Sequence, residues 1–331
     1  MLGKIMLKKI NFLLYSALIF VIGCDEPTDN NSDELLCGGG SYTTKNIMTN
    51  ISEEIYNEDE SVKAYSRYAW SSDGSNRILK GNGIPNHPVG TFPNSGNPNT
   101  ISEQDVNQVF TLCPTIVSNE GVQVGGPSGA IAYAINSVKF DPATAGRCDD
   151  NGSCRLARGQ GRWSIEALGH DTFDFGDDMN HAHVQPSGAY HYHGIPELLL
   201  DFLGQDSSMT LVGWASDGFP VYARYAYTVG SNANSPTKAM QPSWRLKSSP
   251  DTGRPTHVTQ LAGGPQGNSS ANTPIPMGAF TQDYEYVEGS GDLDQCNGRV
   301  GVTPEFPDGI YSVSYTHLRA HETREDLVCR L

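Results

Sequence analysis

Four histidines fall within thirteen residues of the segment Asn180-His-Ala-His-Val-Gln-Pro-Ser-Gly-Ala-Tyr-His-Tyr-His-Gly194. His181 and His183 alternate with Ala182 and Val184, and His191 and His193 alternate with Tyr190 and Tyr192. A period of two marks strands whose two faces differ. Between the two runs lies Pro186-Ser187-Gly188, which suits a three-residue hairpin loop: proline pre-sets the first turn residue and glycine accepts positive φ without a Cβ clash. Such a loop pairs Gln185 with Ala189, sets His183 opposite His191 and His181 opposite His193, and puts four imidazoles on one face at Cβ spacings of about 4.5–5.5 Å. A loop longer or shorter by one residue would split them between faces. Imidazoles that can all protonate need a reason to converge, and the reason expected here is one divalent transition metal, copper or zinc ahead of harder ions. The competing reading is a half-exposed strand with packed tyrosines on one side and solvated histidines on the other.

Carboxylates near this segment are the next candidates. Asp178 is placed to join His181, whereas Asp174 and Asp177 read as turn-capping, solvated residues. Asp217, in Asp-Gly-Phe-Pro, fits an Asx-type turn and is also a candidate to orient or supplement the histidines. His87, in Asn-His-Pro, is open between ligand and structural roles. Glu288-Gly-Ser-Gly-Asp-Leu-Asp-Gln-Cys-Asn-Gly298 offers oxygen ligands at Asp292 and Asp294 for calcium, but without EF-hand spacing, so a solvated loop is the favoured reading. No Gly-x-Ser-x-Gly elbow, His-Glu-x-x-His helix or phosphate-binding glycine loop is present.

The elements that must position these residues are short strands. From Tyr65 to Ser312 the chain is rich in glycine, proline, asparagine and serine, with apolar runs such as Ile131–Asn136, Leu211–Trp214 and Phe219–Tyr222. This predicts a mainly β fold, a single sandwich- or barrel-like domain with long loops. Glu197–Leu203, after Pro196, is the best helix candidate.

The termini carry different information. Lys4, Lys8 and Lys9 precede an apolar run from Ile10 to Ile22 that ends in Val-Ile-Gly-Cys24, which resembles a bacterial lipoprotein signal. Residues 1–23 are then the signal peptide, Cys24 carries the lipid, and residues 24–64 form a flexible acidic tether holding the protein to a membrane of the cell envelope, in the periplasm or on the outer surface. Loss of three lysines makes the mature chain still more acidic than the formal −15 of the whole, so nucleic acid is excluded as a natural partner. Cysteine usage agrees with an oxidising compartment: Cys148 and Cys154 flank the turn-rich Asp149-Asp-Asn-Gly152 and are the expected disulfide, and no Cys-x-x-Cys pair suggests a zinc ribbon. From about Val313 onward the chain resembles the translated sequencing-adapter tail found in some assembled genes. Residues 313–331 are therefore set aside as non-native, with His317, His321 and Cys329, which leaves an odd cysteine among Cys37, Cys113, Cys148, Cys154 and Cys296.

Several segments in order resemble a bacterial family, the YHYH domain family. Its signature is similar to Gly188-Ala-Tyr-His-Tyr-His-Gly-Ile-Pro196, and further family-like segments are Asn82–Pro88, Asn136–Pro142, Asn180–Pro186, Gly213–Tyr222 and Gly289–Gly298. The chain departs from the pattern at Ser137, in a segment often read Asn-Gly-Val, and where a closing tyrosine-rich strand is expected. The resemblance implies fold and compartment but no activity. Three functions are compatible with these residues: a metal-binding lipoprotein, a metal-dependent enzyme with Asp178 or Asp217 as base, and a metal-free surface module that contacts glycan or protein through its aromatic residues.

Overall fold

Short strands need neighbours on both sides to bury their alternating faces, and the histidine-bearing hairpin finds them at one edge of an eight-stranded sheet. The order across this sheet is Ala182–Val184, Tyr190–Tyr192, Lys139–Phe140, Ala132–Ala134, Leu211–Ala215, Pro220–Tyr222, Ile310–Ser314 and Gly298–Gly301. Two of the pairings are parallel, Tyr190–Tyr192 with Lys139–Phe140 and Pro220–Tyr222 with Ile310–Ser314. Val138, Phe140, Ala182, Val184, Tyr190, Tyr192, Val221 and Val313 share its main core. The computed structural model describes residues 37, 42–44, 47–116, 129–204, 207–262 and 271–315, all within the unit Asp33–Leu331.

Two four-stranded sheets and two two-stranded ribbons, Tyr225–Tyr227 with Thr237–Ala239 and Trp244–Leu246 with Tyr284–Tyr286, accompany it among the described residues. An antiparallel meander of Ile51–Asn57, Ala64–Ser72, Asn76–Gly81 and Val106–Thr111 packs Trp70, Leu79 and Phe110 around Trp214 of the central sheet. A second four-stranded sheet, in the order Gln260–Ala262, Ser153–Arg155, Ala143–Cys148 and Trp163–Glu166, builds its own core from Trp163, Ile165, Phe173, Phe175 and Phe280. The fold is mainly β, with one α-helix among the described residues, Glu197–Phe202, entered through Pro196 as expected. Ser137 takes φ +69°, the left-handed conformation that glycine adopts without penalty.

Cysteine pairing follows the strands. Cys148 and Cys154 are directly opposed across a tight antiparallel pair and form the expected disulfide. Cys37 pairs with Cys113, 76 residues away, which leaves Cys296 as the odd member of the five, and it is disulfide-bonded too.

The folded residues reach further out at both ends than expected. A tether reaching residue 64 is too long, because Ile51–Asn57 is a full strand paired from Ile51↔Trp70 to Asn57↔Ala64. Thr44 is buried, and its carbonyl and that of Ile47 accept from Arg77, whose guanidinium lies 3.4 Å from the Trp214 ring centre. Composition hid this strand because it is an edge strand with Ser52, Glu53 and Glu54 exposed, held by backbone bonds rather than by an apolar face. At the other end, a boundary at Val313 cuts through the strand Ile310–Ser314. Val313, Ser314 and Tyr315 are buried, and the Tyr315 amide donates to the Tyr222 carbonyl at 2.8 Å. The rest of the suspected tail, like Cys24 and the signal segment, lies outside the described residues.

Candidate metal centre

The hairpin register is the one that Pro186-Ser187-Gly188 dictates. Gln185 N–H donates to the Ala189 carbonyl at 2.9 Å, and His183 pairs with His191, flanked by Ala182↔Tyr192 and Val184↔Tyr190. Gly188 takes φ +86°, and a Cβ there would stand 1.9 Å from Ser102 Oγ, so both backbone and space require glycine. Asn97 and Asn99 donate side-chain amides to the Val184 carbonyl at 3.0 and 2.8 Å, which caps the outer edge of the sheet with a loop.

Three of the four histidines converge. The ring centres of His183, His191 and His193 stand 4.6, 4.5 and 4.7 Å apart, a near-equilateral triangle, and one nitrogen of each lies within 4.8 Å of the others. The Nε2 atoms of His183 and His193 are 3.2 Å apart. Two nitrogens at about 2.0–2.1 Å from a tetrahedral zinc would be about 3.3 Å apart.

The opposite nitrogens explain the orientation. His193 Nδ1 is 2.8 Å from the Pro142 carbonyl, His191 Nδ1 is 3.3 Å from the Ala189 carbonyl, and His183 Nδ1 is 2.6 Å from Asp177 Oδ1. Carbonyls only accept, so at His191 and His193 Nδ1 carries the proton and Nε2 holds the lone pair, while His183 Nδ1 stands in ion-pair contact with the Asp177 carboxylate. Outer partners of this kind fix the tautomer and ring plane of metal-ligating histidines. The three residues are 9, 2 and 2 % exposed, and burial, reinforced by the neighbouring imidazoles, holds His191 well below the ordinary histidine range and His193 down to about 4. The cluster is thus neutral at pH 7 at these two positions, which leaves lone pairs facing one another where a cation would be welcome.

His181 stands outside the triangle. Its carbonyl still accepts from the His193 amide at 2.7 Å, so the ladder continues to this point. Its φ of +53° turns the side chain off the strand face, however, and Nδ1 meets the Ile195 carbonyl at 2.9 Å. Alternation assumes extended backbone at His181, and the left-handed turn after Asp178 breaks that assumption.

The carboxylates are distributed differently from the expectation as well. Asp178 belongs to the tyrosine face, where Oδ2 accepts from Tyr190 Oη at 2.7 Å and Gly90 N–H at 2.9 Å, while Oδ1 accepts from Asn180 N–H. Burial raises its pKa despite these donors. Asp217 closes its Asx turn by accepting from Phe219 N–H at 3.1 Å, and burial lifts its pKa to about 6; it does not join the histidines. His87 is buried with Nε2 2.7 Å from Tyr192 Oη and is a prop for that tyrosine. Asp292 is ion-paired with Lys238 at 2.7 Å, and Asp294 accepts from Cys296 N–H, Gly298 N–H and Tyr311 Oη, so the two brace loops separately and do not converge on a calcium. Asp174 caps its turn by accepting from Gly176 N–H, as expected.

Asp177 is the functional candidate that reading by spacing assigns elsewhere. It lies six residues before its partner, outside any strand, and no local pattern marks it. Phe175, whose ring centre is 6.0 Å from that of His183, forms the adjoining wall. Both residues also line a cleft of about 290 Å³ formed by the segment 167–177.

Comparison with known proteins adds one identification. The family model described as YHYH protein matches residues 109–322, and this span contains the whole histidine hairpin. The chain belongs to the YHYH family. The match begins after the family-like segment Asn82–Pro88 and runs beyond residue 313. No curated protein and no solved structure matches the chain.

Proposed function

We propose that this YHYH protein binds one divalent transition metal, zinc or copper, through Nε2 of His183, His191 and His193, in a domain carried outside the cytoplasm by a lipid on Cys24. One observation carries the metal reading: three buried imidazoles bring a nitrogen each within 4.8 Å of one another, and at His191 and His193 the other nitrogen is committed to a carbonyl. Two disulfides in the described fold support an oxidising compartment.

Three ligands leave a coordination position for water or substrate, as in catalytic zinc sites, and a cleft lies beside the outer partner of one ligand. Metal-dependent catalysis is therefore the second reading, ahead of a metal-free glycan- or protein-binding surface.

Calorimetric titration of zinc and copper into the full chain tests the first reading. One equivalent should bind to wild type and to Tyr192→Phe, with His191→Ala and His193→Ala weaker by at least about a hundredfold. Equal affinity in the histidine variants would return the motif to a structural role. For the anchor, Cys24→Ser should release the protein from membranes; an unprocessed chain in the cytosol of the native host would contradict it.

A further inference from the structure

The cleft beside the histidine triangle has a one-sided electrostatic character. Asp171, Asp174 and Asp177 line it, spaced three residues apart along one loop, with His170, Phe173 and Phe175 among them and no lysine or arginine. Asp177, which lines it, stands 2.6 Å from Nδ1 of His183, the least buried histidine of the triangle. His183 and Asp177 keep 11 and 12 % of their side-chain surface exposed, whereas His191 and His193 are each 2 % exposed as residues. An ion bound for the triangle therefore finds its most accessible histidine next to this cleft.

We infer that this cleft is the entry route by which a hydrated divalent cation is drawn to the histidine triangle, with Asp171 and Asp174 as the collecting carboxylates and Asp177 as the last one before His183. The inference rests on the metal reading above and adds a path and a rate to it. A concave surface lined by one sign of charge focuses the field and raises local counter-ion concentration, accelerating association by about 10–10³. Carboxylate oxygens also replace departing waters of a hydrated cation, which bare imidazoles deep in the fold cannot do until the ion arrives. The same charges repel anionic ligands, so small anions are disfavoured occupants of the cleft.

A route differs from a ligand in kinetics. Carboxylates that stabilise the passing ion more than the bound one accelerate entry and exit together; a ligand chiefly slows exit. Zinc transfer from a chromophoric chelator to the full chain, followed by stopped flow, separates these cases. The comparison is wild type against the double variant Asp171→Asn/Asp174→Asn, whose new side-chain amide carbonyl still offers an oxygen to Gly176 N–H, and against Asp171→Lys alone on the exposed rim. At low ionic strength the on-rate should fall about tenfold in the double variant. The off-rate should fall too, so the dissociation constant changes by less than the on-rate. The deficit should shrink as salt shortens the Debye length to about 3 Å near 1 M. An unchanged on-rate in both variants overturns the route, and so does a raised off-rate with an intact on-rate, which would make these carboxylates ligands. Failure of the metal reading looks different: wild type would take up no zinc, or His193→Ala would load as wild type does.

Discussion

Tyr190, His191, Tyr192 and His193 alternate between the two faces of the hairpin, with His183 joining the histidine side from the opposite strand, and the two faces solve burial in opposite ways. On the tyrosine face every hydroxyl has a complementary partner: Tyr190 Oη donates to Asp178, while Tyr192 Oη joins His87 Nε2 at 2.7 Å and the Asn136 amide at 3.0 Å. Donors meet acceptors, and the network closes on itself. On the histidine face the Nδ1 atoms of His191 and His193 each meet a carbonyl, and one nitrogen from each of three imidazoles lies within 4.8 Å of the others. A buried network that closes is a brace, whereas one that leaves like groups converging requires a cation or costs stability. Burial alone does not distinguish the two, since His191 and His193 are nearly as inaccessible as Tyr190 and Tyr192.

The sharpest way to break this contrast is to remove one member of the triangle and vary pH. His193→Ala should abolish high-affinity zinc binding, a loss of at least about a hundredfold by calorimetry. In wild type, proton competition from His191 and His193 should set in below the ordinary histidine value of about 6.5, because burial disfavours their charged forms. The sign for the metal-free fold follows from the same shift. A histidine whose folded pKa is depressed to about 4 binds its proton more readily when unfolded, so stability is present above about 6.5 and is lost as pH falls toward about 4. Saturating zinc, at a hundred times its dissociation constant, should add about 2.7 kcal/mol at neutral pH and less as protons compete. Thermal unfolding with zinc and with chelator, from pH 7 to pH 4, checks both. A zinc increment that does not diminish with acid would argue against histidine ligation.

A smaller effect is expected at the outer partner. Asp177→Asn keeps the size of the side chain but removes the charge that orients His183 and strengthens its basicity; zinc affinity should drop about 10–100-fold. His183→Ala combined with Asp177→Asn should cost little more than His183→Ala alone. Additive losses would mean that Asp177 contacts the metal itself rather than acting through the imidazole.

Tyr192→Phe probes the closed face. Deleting this hydroxyl leaves His87 Nε2 and the Asn136 amide short of a partner inside the core, which costs about 1–3 kcal/mol of folding stability. Zinc affinity should stay within about threefold, because Tyr192 points away from the triangle. Denaturant unfolding alongside calorimetry separates the two quantities; a large affinity loss at unchanged stability would erase the division of labour between the faces.

Much of this organisation was legible in the chain, and what was not has identifiable causes. Proline, glycine and period-two alternation sufficed for the hairpin, its register and the His183–His191 pairing, since these depend on local backbone geometry and one loop length. The Cys148–Cys154 disulfide was readable for the same reason: its closure spans a single turn. Asp177 was not, because its role depends on where an irregular loop brings it against a strand. The edge strand Ile51–Asn57 escaped because backbone pairing, not apolar patterning, holds it. Asp217 illustrates a reading half right: the turn is there, and the position relative to the histidines is a tertiary fact that no spacing encodes.

The smallest expected effect belongs to the fourth histidine, and it decides how far alternation can be trusted. His181 shares parity with His183, but parity predicts a common face only where the backbone is extended, and φ +53° is not. Its imidazole is instead tied to the Ile195 carbonyl at 2.9 Å, and its main chain supplies the hairpin, accepting from both His193 N–H and Gly194 N–H. His181→Ala should therefore leave zinc affinity within about twofold and cost about 1 kcal/mol of stability through the lost hydrogen bond. His181→Gly should recover part of that cost, since glycine adopts the left-handed conformation freely. Calorimetry on both variants checks the first expectation and chemical unfolding the second. If His181→Ala weakens zinc binding as much as His193→Ala, the imidazole must swing inward on metal uptake, and the site is a four-histidine one.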